Sequence, residues 1–487
     1  MSVSLEPEAT TLPVPRILIN GEWREGNGDT QWTLLNPATG QALRNCRSAT
    51  PNDLNIALMA AQQALKPWGQ TPAFQRAQLI EQGLQKVLGS IDEMSRWLTL
   101  EQGKTLGESR LEVQVAVEMV RWFAQEGRRI HGRTIPSRLP QGVVTVMPRP
   151  AGVALAISPW NYPVILCARK VGAALAAGCS VIAKLPEETP VAVGAFLAAL
   201  NQALPPGVLQ AVFGDAKALC SQAIASPVVR KVSFTGSVAV GRALAHQCSA
   251  DFKRATLELG GHAPVIVCRD APLESVANLL VAHKHRNAGQ ACMAPSRLYV
   301  DRDVLPAFTD HYVAAMRRLR VGSGMEADID MGPVQNQRRQ AAIESLIEDA
   351  RAHGADVVQG PSVEGPGFFV PPTVLLGNME GARVMQDEPF GPVCAIQDFS
   401  TLDEAIARAN ANRLGLAGYL FTDSASIQAR CMRELEVGAL SINNVMVSMP
   451  EAPFGGLKDS GLGAESGIEG LSAYLDPMSV HTTPMAP

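Results

Sequence analysis

Four short segments of this sequence carry side chains that could act together on a carbonyl group. They are Ser158-Pro159-Trp160-Asn161-Tyr162-Pro163, Phe234-Thr235-Gly236-Ser237, Glu258-Leu259-Gly260-Gly261 and Asn287-Ala288-Gly289-Gln290-Ala291-Cys292. The thiolate of Cys292 can attack an aldehyde, and the amide of Asn161 can donate a hydrogen bond to the resulting oxyanion. The carboxylate of Glu258 can activate water to hydrolyse a thioester. A helix that begins after Ser237 could receive a pyrophosphate at its N-terminus.

Each segment taken alone has an ordinary structural explanation. A single cysteine is more often buried packing than a nucleophile, Gly260-Gly261 is typical of a turn, and Ser237 could simply cap a helix. The spacing from Gly236 to Gly241 is not the G-x-G-x-x-G dinucleotide fingerprint. The chemistry is therefore predicted from the combination of the four segments.

The elements that would position these segments alternate between strand and helix. We predict strands at residues 153–157, 180–184, 209–213, 231–234 and 255–258, with helices at 164–177, 191–204 and after Ser237. A second series after residue 261 has strands at 265–267 and 298–300 around a helix that ends near Asn287. This alternation favours a parallel, doubly wound α/β sheet, which binds ligands at the carboxyl ends of its strands. Residues 51–125 have helical spacing, and residues 129–147 alternate like a β-hairpin.

Length, charge and cysteine content exclude several classes of protein. A chain of 487 residues predicts two or three domains. The net charge of −4 provides no basic surface for nucleic acid, and no apolar run is long enough to span a membrane. Nine cysteines without a CxxC pair favour free thiols in a reducing compartment, with no metal site. Residues 1–12 lack an apolar secretory core, so we expect a cytoplasmic protein.

The four segments resemble those of the aldehyde dehydrogenase superfamily in type, order and spacing, and the resemblance extends over residues 17–480. Glu258 and Cys292 lie 34 residues apart, as in that family. The resemblance implies that Cys292 is the nucleophile, that Asn161 and the Cys292 backbone N–H form the oxyanion hole, and that Glu258 is the general base. It implies oxidation of an aldehyde to a carboxylic acid through a thiohemiacetal and a thioester.

The same resemblance implies NAD as the cofactor, with NADP possible. Lys184 and Glu187 match the residues that bind the adenosine ribose, Gly236 and Ser237 match the pyrophosphate turn, and Glu388 and Phe390 match the nicotinamide side. The cofactor residues that it further implies are Ser158, Trp160, Gly214, Phe234 and Leu259. The sequence departs from the family pattern in two places. Leu185-Pro186 replaces the usual Pro-Ala or Pro-Ser and could shift the ribose loop, and His262 replaces a Lys or Leu.

The resemblance also implies a three-part architecture and association into a homodimer or homotetramer. Residues 1–125 and 148–258 would form a Rossmann-like NAD-binding domain, and residues 259–462 an α/β catalytic domain. A small β oligomerisation element would comprise residues 126–147 and 463–487, with the C-terminal segment pairing with a neighbouring subunit.

Residues 168–178 and 284–290 are similar to the corresponding runs of succinate-semialdehyde dehydrogenases. In that group two arginines and a serine bind the substrate carboxylate, and the matching residues here are Arg169, Arg286 and Ser448. A forked guanidinium suits a carboxylate, so an ω-semialdehyde such as succinate semialdehyde is predicted. The alternative is that both arginines form local ion pairs.

Other positions near the substrate leave further aldehydes open. Met293, Met446 and Met449 favour a roomier or more apolar pocket, so a longer or aromatic body fits as well, and a neutral aldehyde is an alternative. A regulatory cysteine found two residues after the nucleophile in some semialdehyde enzymes is replaced by Ala294.

Three rival functions are weaker. A coenzyme-A-acylating or phosphate-dependent dehydrogenase would have no use for Glu258 as a water-activating base. A structural scaffold, or an NAD-binding module without chemistry, would not need Cys292, Asn161 and Glu258 together. The physiological aldehyde, its pathway and the choice of dimer or tetramer are left open by the sequence.

Overall fold

The computed structural model describes residues 12–379 and 381–485. The first eleven and last two residues lie outside the described residues. The prediction that no secretory core is present concerns residues 1–12, most of which therefore lie outside the described residues. The same is true of the outer ends of the predicted ranges 1–125 and 463–487. No helix in the described part of the chain is long and apolar enough to cross a membrane.

The chain forms alternating strands and helices over most of its length. The strands are β1 (Ile17–Ile19), β2 (Glu22–Arg24), β3 (Gln31–Leu35), β4 (Ala42–Arg47), β5 (Arg133–Pro136), β6 (Val143–Pro150), β7 (Val153–Ile157), β8 (Val181–Lys184), β9 (Leu209–Val212), β10 (Val229–Thr235), β11 (Arg254–Glu258), β12 (Ala263–Val267), β13 (Pro295–Asp301), β14 (Asp356–Gln359), β15 (Thr373–Leu376), β16 (Val393–Phe399), β17 (Leu414–Gly415), β18 (Ala417–Phe421), β19 (Ala439–Ile442), β20 (Leu457–Lys458), β21 (Gly461–Leu462) and β22 (Leu475–Thr482). The helices are α1 (Pro51–Gln70), α2 (Ala73–Leu88), α3 (Ile91–Gln102), α4 (Leu106–Gly127), α5 (Pro163–Ala177), α6 (Pro190–Asn201), α7 (Ala216–Ala225), α8 (Val238–Ala250), α9 (Leu273–His285), α10 (Leu305–Arg317), α11 (Gln337–Ala352), α12 (Leu402–Asn410), α13 (Ala425–Glu434) and α14 (Gly467–Ser472).

The larger sheet contains the first predicted strand series. Its order is β2-β1-β9-β8-β7-β10-β11-β21, and β9, β8, β7, β10 and β11 are parallel. Every residue of β7, β8 and β9 is buried, because helices cover both faces, and all of these residues except Lys184 and Gln210 are apolar. The prediction of a parallel, doubly wound α/β sheet is confirmed.

A second sheet contains the later strands in the order β14-β15-β16-β13-β12-β18-β19. All its neighbouring pairs are parallel except β14 with β15 at one edge. The nucleophile segment lies between helix α9 and strand β13 of this sheet, joined by a 3-10 turn at Arg286–Gly289.

A small third sheet joins two distant parts of the chain. Strand β6 pairs with β5 on one side and with β22 on the other, from Val143 opposite Thr482 to Pro150 opposite Leu475. Helix α4 extends to Gly127, and the hairpin of β5 and β6 spans residues 133–150, slightly later than the predicted hairpin at 129–147. The apolar side chains of Ile135 and Met147 are exposed on this sheet.

Candidate active site

The carboxyl ends of three neighbouring strands meet at one edge of the larger sheet. Strand β10 lies between β7 and β11, with Phe234 opposite Ile157 and Thr235 opposite Glu258. Because these strands are parallel, the segments that follow them come together. Asn161 follows β7, Ser237 follows β10, and Glu258 ends β11 itself.

The nucleophile segment approaches this edge through a tight backbone contact. A Cβ atom added at Gly261 would lie 2.1 Å from the carbonyl oxygen of Cys292, so only glycine permits the contact. Just before the nucleophile, Asn287 and Ala288 have left-handed φ angles of 50° and 51° and Gly289 has 71°, which reverse the chain after helix α9. The glycine pair predicted as a turn therefore joins the two catalytic segments.

Cys292 differs from every other cysteine of the described chain. It is half-buried, whereas the other eight cysteines are buried, and all nine are free thiols. Burial raises the pKa of the Cys292 thiol to about 12, and the negative charges of Glu388 and Glu258 raise it further. The thiol is therefore protonated at neutral pH in the protein without ligands, and must lose its proton to react.

Asn161 offers an amide N–H group beside this thiol. Its side-chain Nδ2 donates a 2.9 Å hydrogen bond to the carbonyl oxygen of Gln290, and both Asn161 and Cys292 line one cavity. That bond uses one of the two amide hydrogens, which leaves the second for an oxyanion. The arrangement suits stabilisation of the oxyanion that forms when the Cys292 sulfur adds to a carbonyl group.

Glu258 is only 2% exposed, and neither carboxyl oxygen has a hydrogen-bond partner among the described residues. Burial raises its pKa well above the usual value, the charge of Glu465 adds to this, and Arg169 and Lys170 oppose it. Glu465 is itself bound by Lys170 at 2.7 Å. A raised pKa makes the Glu258 carboxylate a stronger base than a solvated carboxylate, which is the property needed in a general base.

A cavity of about 450 Å³ extends from Asn161 and Cys292 to the start of helix α8, and Glu258 is not among the residues that line it. It is lined by eight of the predicted site residues, which are Trp160, Asn161, Gly236, Ser237, Leu259, Cys292, Glu388 and Phe390. The rings of Trp160 and Phe390 are perpendicular, with centroids 5.6 Å apart. Glu388 accepts a 3.2 Å hydrogen bond from the Gly261 N–H, and burial raises its pKa to about 7.

The shape and chemistry of this cavity fit a dinucleotide. Ser237 caps helix α8, so the helix directs its free N–H groups and positive dipole end toward the cavity, as a pyrophosphate requires. A Cβ at Gly236 would lie 2.4 Å from the ring of the buried Phe234, so a larger residue would not fit in this turn, and Gly236 itself lines the cavity.

The predicted ribose residues lie at the end of strand β8. Lys184 and Glu187 form an ion pair of 2.6 Å, with Lys184 buried and Glu187 partly exposed. Glu187 and Gly214 line a second cavity of about 480 Å³, and Asn336 lines both cavities. The Leu185-Pro186 departure leaves the sheet regular here, because Leu185 is buried and its N–H donates to Val212 at 2.8 Å.

The remaining predicted cofactor residues are packed more deeply. Ser158 is buried and its hydroxyl has no partner among the described residues. The Leu259 N–H donates to the carbonyl oxygen of Ser460 at 2.9 Å. His262 is buried outside the cavity lining, with its Nε2 2.9 Å from the Val384 oxygen, so this departure belongs to the core and not to the site.

The structure brings together two of the three predicted substrate residues. Arg169 is 4% exposed, and its Nη2 donates a 2.8 Å hydrogen bond to the Ser448 hydroxyl. Its guanidinium carbon lies 5.0 Å from the ring of Phe454, and its Nε has no partner among the described residues. Arg286 is exposed, and the described chain shows no hydrogen bond from it to Arg169 or Ser448.

Sequence reasoning missed a buried ion pair that supports Asn161. Lys104 is fully buried, and its Nζ donates to a carboxyl oxygen of Glu112 and, at 2.8 Å, to the backbone oxygen of Asn161. The other Glu112 oxygen accepts the Val164 N–H at the start of α5, at 2.9 Å. Nothing in the spacing of Lys104 and Glu112 distinguishes them from charges on a solvated helix face.

Sequence reasoning also missed cavity residues on helix α11. Arg338 and Arg339 line the cavity near Glu388, and Arg339 donates to the Pro389 oxygen at 3.2 Å. These arginines lie more than forty residues from each segment that carried the prediction. No motif marks them, so only the packing of α11 against the 387–391 loop identifies them.

These groups together can add a thiol to a carbonyl group, stabilise the oxyanion and hydrolyse an acyl product. No cluster of side chains suited to hold a metal ion occurs in the described residues. Cys292 and Asn161 line one cavity, and the Glu258 carboxyl group is close enough to raise the pKa of the Cys292 thiol, so a nucleophile, an amide donor and a base are available for acyl chemistry.

Comparison with known proteins agrees with this chemistry. A family model described as "Aldehyde dehydrogenase family" matches residues 23–480. A 4-(hydroxymethyl)benzenesulfonate dehydrogenase of Comamonas testosteroni is 50% identical over 96% of this chain and 98% of its own length. The NADP(+) succinate-semialdehyde dehydrogenase of Escherichia coli strain K12 is 38% identical over 94% of this chain and 96% of its own length.

A solved structure has the same fold throughout. The crystal structure of a succinate-semialdehyde dehydrogenase from Burkholderia pseudomallei superposes with a TM-score of 0.94 and 38% identity. The match covers 98% of this chain and 99% of that one. Sequence and structure thus point to the same group of proteins.

Proposed function

The chain belongs to the aldehyde dehydrogenase family, and we propose that it oxidises an aldehyde with an anionic group at its far end to the carboxylic acid, with NAD(P) as the oxidant. The anionic group of the substrate is inferred from Arg169. Its buried guanidinium contacts Ser448, and its Nε has no hydrogen-bond partner among the described residues. Glu465 lies 4.0 Å from Arg169 but is already bound by Lys170 at 2.7 Å, so the free Nε donor of Arg169 favours a further anionic ligand.

The chemical steps follow from the three residues around the nucleophile. Cys292 loses its proton and its sulfur adds to the aldehyde carbon, which gives a thiohemiacetal. Asn161 and the Cys292 N–H hold the oxyanion. The cavity lined by Trp160, Ser237 and Phe390 would hold NAD(P), which would supply the oxidant that takes a hydride from this carbon. Glu258 then takes a proton from water, whose oxygen attacks the thioester and releases the acid and the Cys292 thiol. The net change converts aldehyde, NAD(P)⁺ and water to acid, NAD(P)H and a proton.

Hydrolysis is favoured over transfer to coenzyme A or phosphate because the Glu258 carboxyl group lies close to the Cys292 sulfur. Its charge contributes to the raised pKa of the thiol, so the carboxyl group lies near the atom where a thioester would form. A carboxyl group without hydrogen-bond partners beside the thioester can act as a base on water, and this role is needed only if water is the acceptor of the acyl group.

We propose an aromatic body for the substrate, with a sulfonate or a carboxylate as its anion. Arg169 faces the ring of Phe454, and the exposed Met446 and Met449 lie within two residues of its partner Ser448 in the chain, so apolar side chains are available for the body of the substrate. The relative at 50% identity is named for a ring with a hydroxymethyl group para to a sulfonate. Oxidation of that group to a formyl group gives the kind of aldehyde proposed here.

A short ω-semialdehyde such as succinate semialdehyde is the second candidate. It is supported by the relative at 38% identity and by the same Arg169–Ser448 contact. The two candidates share the anion and differ in the length and shape of the body. Arg286, which is exposed, would add positive charge for either of them.

NAD is proposed over NADP because of Glu187. This carboxylate is paired with Lys184 and partly exposed, so it can accept two hydrogen bonds from a ribose diol but would repel a 2′-phosphate. We also propose a reducing compartment such as the cytoplasm, which agrees with nine free cysteines.

The domain division and the assembly remain proposals as well. We assign residues 1–125 and 148–258 to NAD binding, 259–462 to catalysis, and 126–147 with 463–487 to association of a homodimer or homotetramer. The pairing of β6 with β22 and the exposed apolar Ile135 and Met147 support this assignment. Sedimentation equilibrium of the purified protein tests the assembly.

The substrate proposal is tested with aldehydes matched in shape. We expect kcat/KM with NAD to be at least about tenfold higher for 4-formylbenzenesulfonate and 4-formylbenzoate than for benzaldehyde, with neither coenzyme A nor phosphate required, because a buried charged pair is worth roughly 1.5–3 kcal/mol. Succinate semialdehyde and butanal form the aliphatic pair. Equal values within each pair would refute the anionic substrate and leave the aldehyde dehydrogenase assignment intact.

A further inference from the structure

Cys292 stands at the tip of a β-turn whose closing peptide is held on both sides. The N–H of Ala294 donates to the carbonyl oxygen of Ala291 at 3.0 Å, which makes Cys292 and Met293 the central residues of the turn. The other side of the same peptide unit is the carbonyl oxygen of Met293. It accepts a 2.7 Å hydrogen bond from the hydroxyl of Tyr419.

Tyr419 reaches this turn from a rigid position. It lies on β18, the strand beside β12 in the second sheet, and it is fully buried. Because its single hydroxyl hydrogen is used by Met293, its oxygen can only accept from other groups. His283, on helix α9, places its Nε2 3.2 Å from that oxygen, and the two rings meet edge to face with centroids 5.7 Å apart.

The direction of the second hydrogen bond follows from the first. His283 must donate from Nε2, so its neutral form has the hydrogen there and not on Nδ1. Burial lowers the pKa of His283 to about 4, and the charges of Arg286 and Lys284 lower it further, so this neutral form is present at physiological pH. The hydrogen bonds thus run from His283 through Tyr419 to the Met293 carbonyl group, and all three groups are neutral.

We propose that Tyr419 and His283 are positioning residues that hold the nucleophile turn in the geometry required for attack and hydride transfer. Neither residue lines the cavity that contains Cys292, so they act through the backbone. The proposal rests on the proposed function, because its effect is exerted through Cys292. It assigns to a tyrosine on one element and a histidine on another a role that no motif around Cys292 indicates.

The test compares Tyr419→Phe, which removes only the hydroxyl, with Tyr312→Phe as a matched control. Tyr312 is also fully buried, in the core beside the second sheet, and its hydroxyl contacts Cys394 at 3.1 Å, away from the turn. We expect the rate of the first-turnover NADH burst to fall about tenfold in Tyr419→Phe and to stay within twofold of wild type in Tyr312→Phe. KM for NAD should not change, since neither hydroxyl lines the cofactor cavity.

Alkylation of Cys292 by iodoacetamide separates position from reactivity, because that reaction needs neither oxyanion hole nor hydride geometry. We expect its rate and pH profile in Tyr419→Phe to match those of wild type. A burst that is unchanged in Tyr419→Phe, or lowered equally in Tyr312→Phe, would overturn the proposal, as would an equal fall of burst and alkylation.

His283 is tested by rescue and by a double-mutant cycle. His283→Gln keeps an N–H donor near the Tyr419 oxygen and should retain most of the burst rate, whereas His283→Leu should lower it about threefold to fivefold. In the Tyr419→Phe background His283→Leu should have no further effect. Equal losses in the Gln and Leu variants would remove His283 from the proposal. A wild-type protein that oxidised no aldehyde would instead refute the proposed function itself.

Discussion

Arg169 and Ser448 are 279 positions apart in the chain, yet the Arg169 guanidinium donates a 2.8 Å hydrogen bond to the Ser448 hydroxyl. Arg169 also lies 4.0 Å from Glu465, and its charge opposes the raised pKa values of Glu258 and Cys292. One buried cation is therefore shared between the proposed anion site and the catalytic groups. Removal of Arg169 should affect both, and the two effects can be separated by the choice of substrate.

For Arg169→Leu we expect the ratio of kcat/KM for anionic to neutral aldehydes to fall about ten- to a hundredfold. A charge-assisted hydrogen bond in a buried site is worth roughly 1.5–3 kcal/mol, and about 1.4 kcal/mol is one factor of ten. The change in kcat/KM for neutral aldehydes measures the separate effect of removing the Arg169 charge beside Cys292 and Glu258. Ser448→Ala should lower this ratio less than Arg169→Leu does and should leave kcat/KM for neutral aldehydes unchanged. Arg286→Leu should also lower the ratio less than Arg169→Leu does, because Arg286 is exposed. A ratio unaltered in Arg169→Leu would mean that this arginine is structural.

Cys292→Ala should abolish aldehyde oxidation while NAD still binds. The thiol is the half-buried one among nine free cysteines, and the other eight are buried away from the cavity. Turnover is measured by NADH absorbance, and NAD binding by calorimetry on the same preparation. Substantial remaining turnover would show that another residue is the nucleophile.

Glu258→Gln should permit a burst of NADH near one per active site and then slow turnover. The change removes the carboxylate that takes the proton from water, so the thioester forms but accumulates. The neutral amide also removes one of the charges that raise the Cys292 pKa, so the burst itself should not slow. Stopped-flow absorbance measures both phases. If burst and steady state fell equally, Glu258 would not act chiefly in deacylation.

The protein should have a higher kcat/KM with NAD than with NADP, and Glu187→Ser should narrow the gap. Serine can still bond to a ribose hydroxyl but no longer repels a 2′-phosphate, and Lys184 is then free to attract one. Initial rates at a saturating aldehyde concentration measure both cofactors. A wild-type preference for NADP would contradict the role proposed for Glu187.

Alkylation of Cys292 in the absence of NAD should become faster in Glu388→Gln, but only above about pH 7. Burial raises the Cys292 pKa to about 12 and the Glu388 charge raises it further, so the reactive thiolate is scarce and grows about tenfold per pH unit. Glu388 has its own pKa raised to about 7 by burial, so below that pH it is already neutral and the substitution changes nothing.

Iodoacetamide labelling from pH 6 to pH 9 checks this, with Cys292→Ala as the blank because the other cysteines are buried. We expect the Glu388→Gln and wild-type rates to coincide at pH 6 and to differ severalfold at pH 8 to 9. Equal rates across the whole range would show that the Glu388 charge does not reach the thiol.

The sequence by itself determined the order and type of the elements and the residues of the four segments. Strand β7 occupies the predicted residues 153–157, and β8 and helix α5 begin within one residue of their predicted starts. These features are local, because apolar runs, helical spacing and turn residues are properties of neighbouring positions. Parallel strands then bring their carboxyl ends to one edge, so the meeting of Asn161 and Glu258 follows from strand order.

Only the tertiary structure decided which distant side chains share a charge or a hydrogen bond. It buries Arg169 against Ser448 but leaves Arg286 exposed, although the two arginines looked equivalent in the sequence. It also buries Lys104 beneath Asn161 and sets Tyr419 against the Met293 carbonyl. Residue type determines what a side chain can donate or accept, whereas its burial and partner depend on packing between residues that here lie 57 to 279 positions apart. Those contacts set the pKa values and the geometry, so the chemistry of Cys292 depends on them as much as on its own motif.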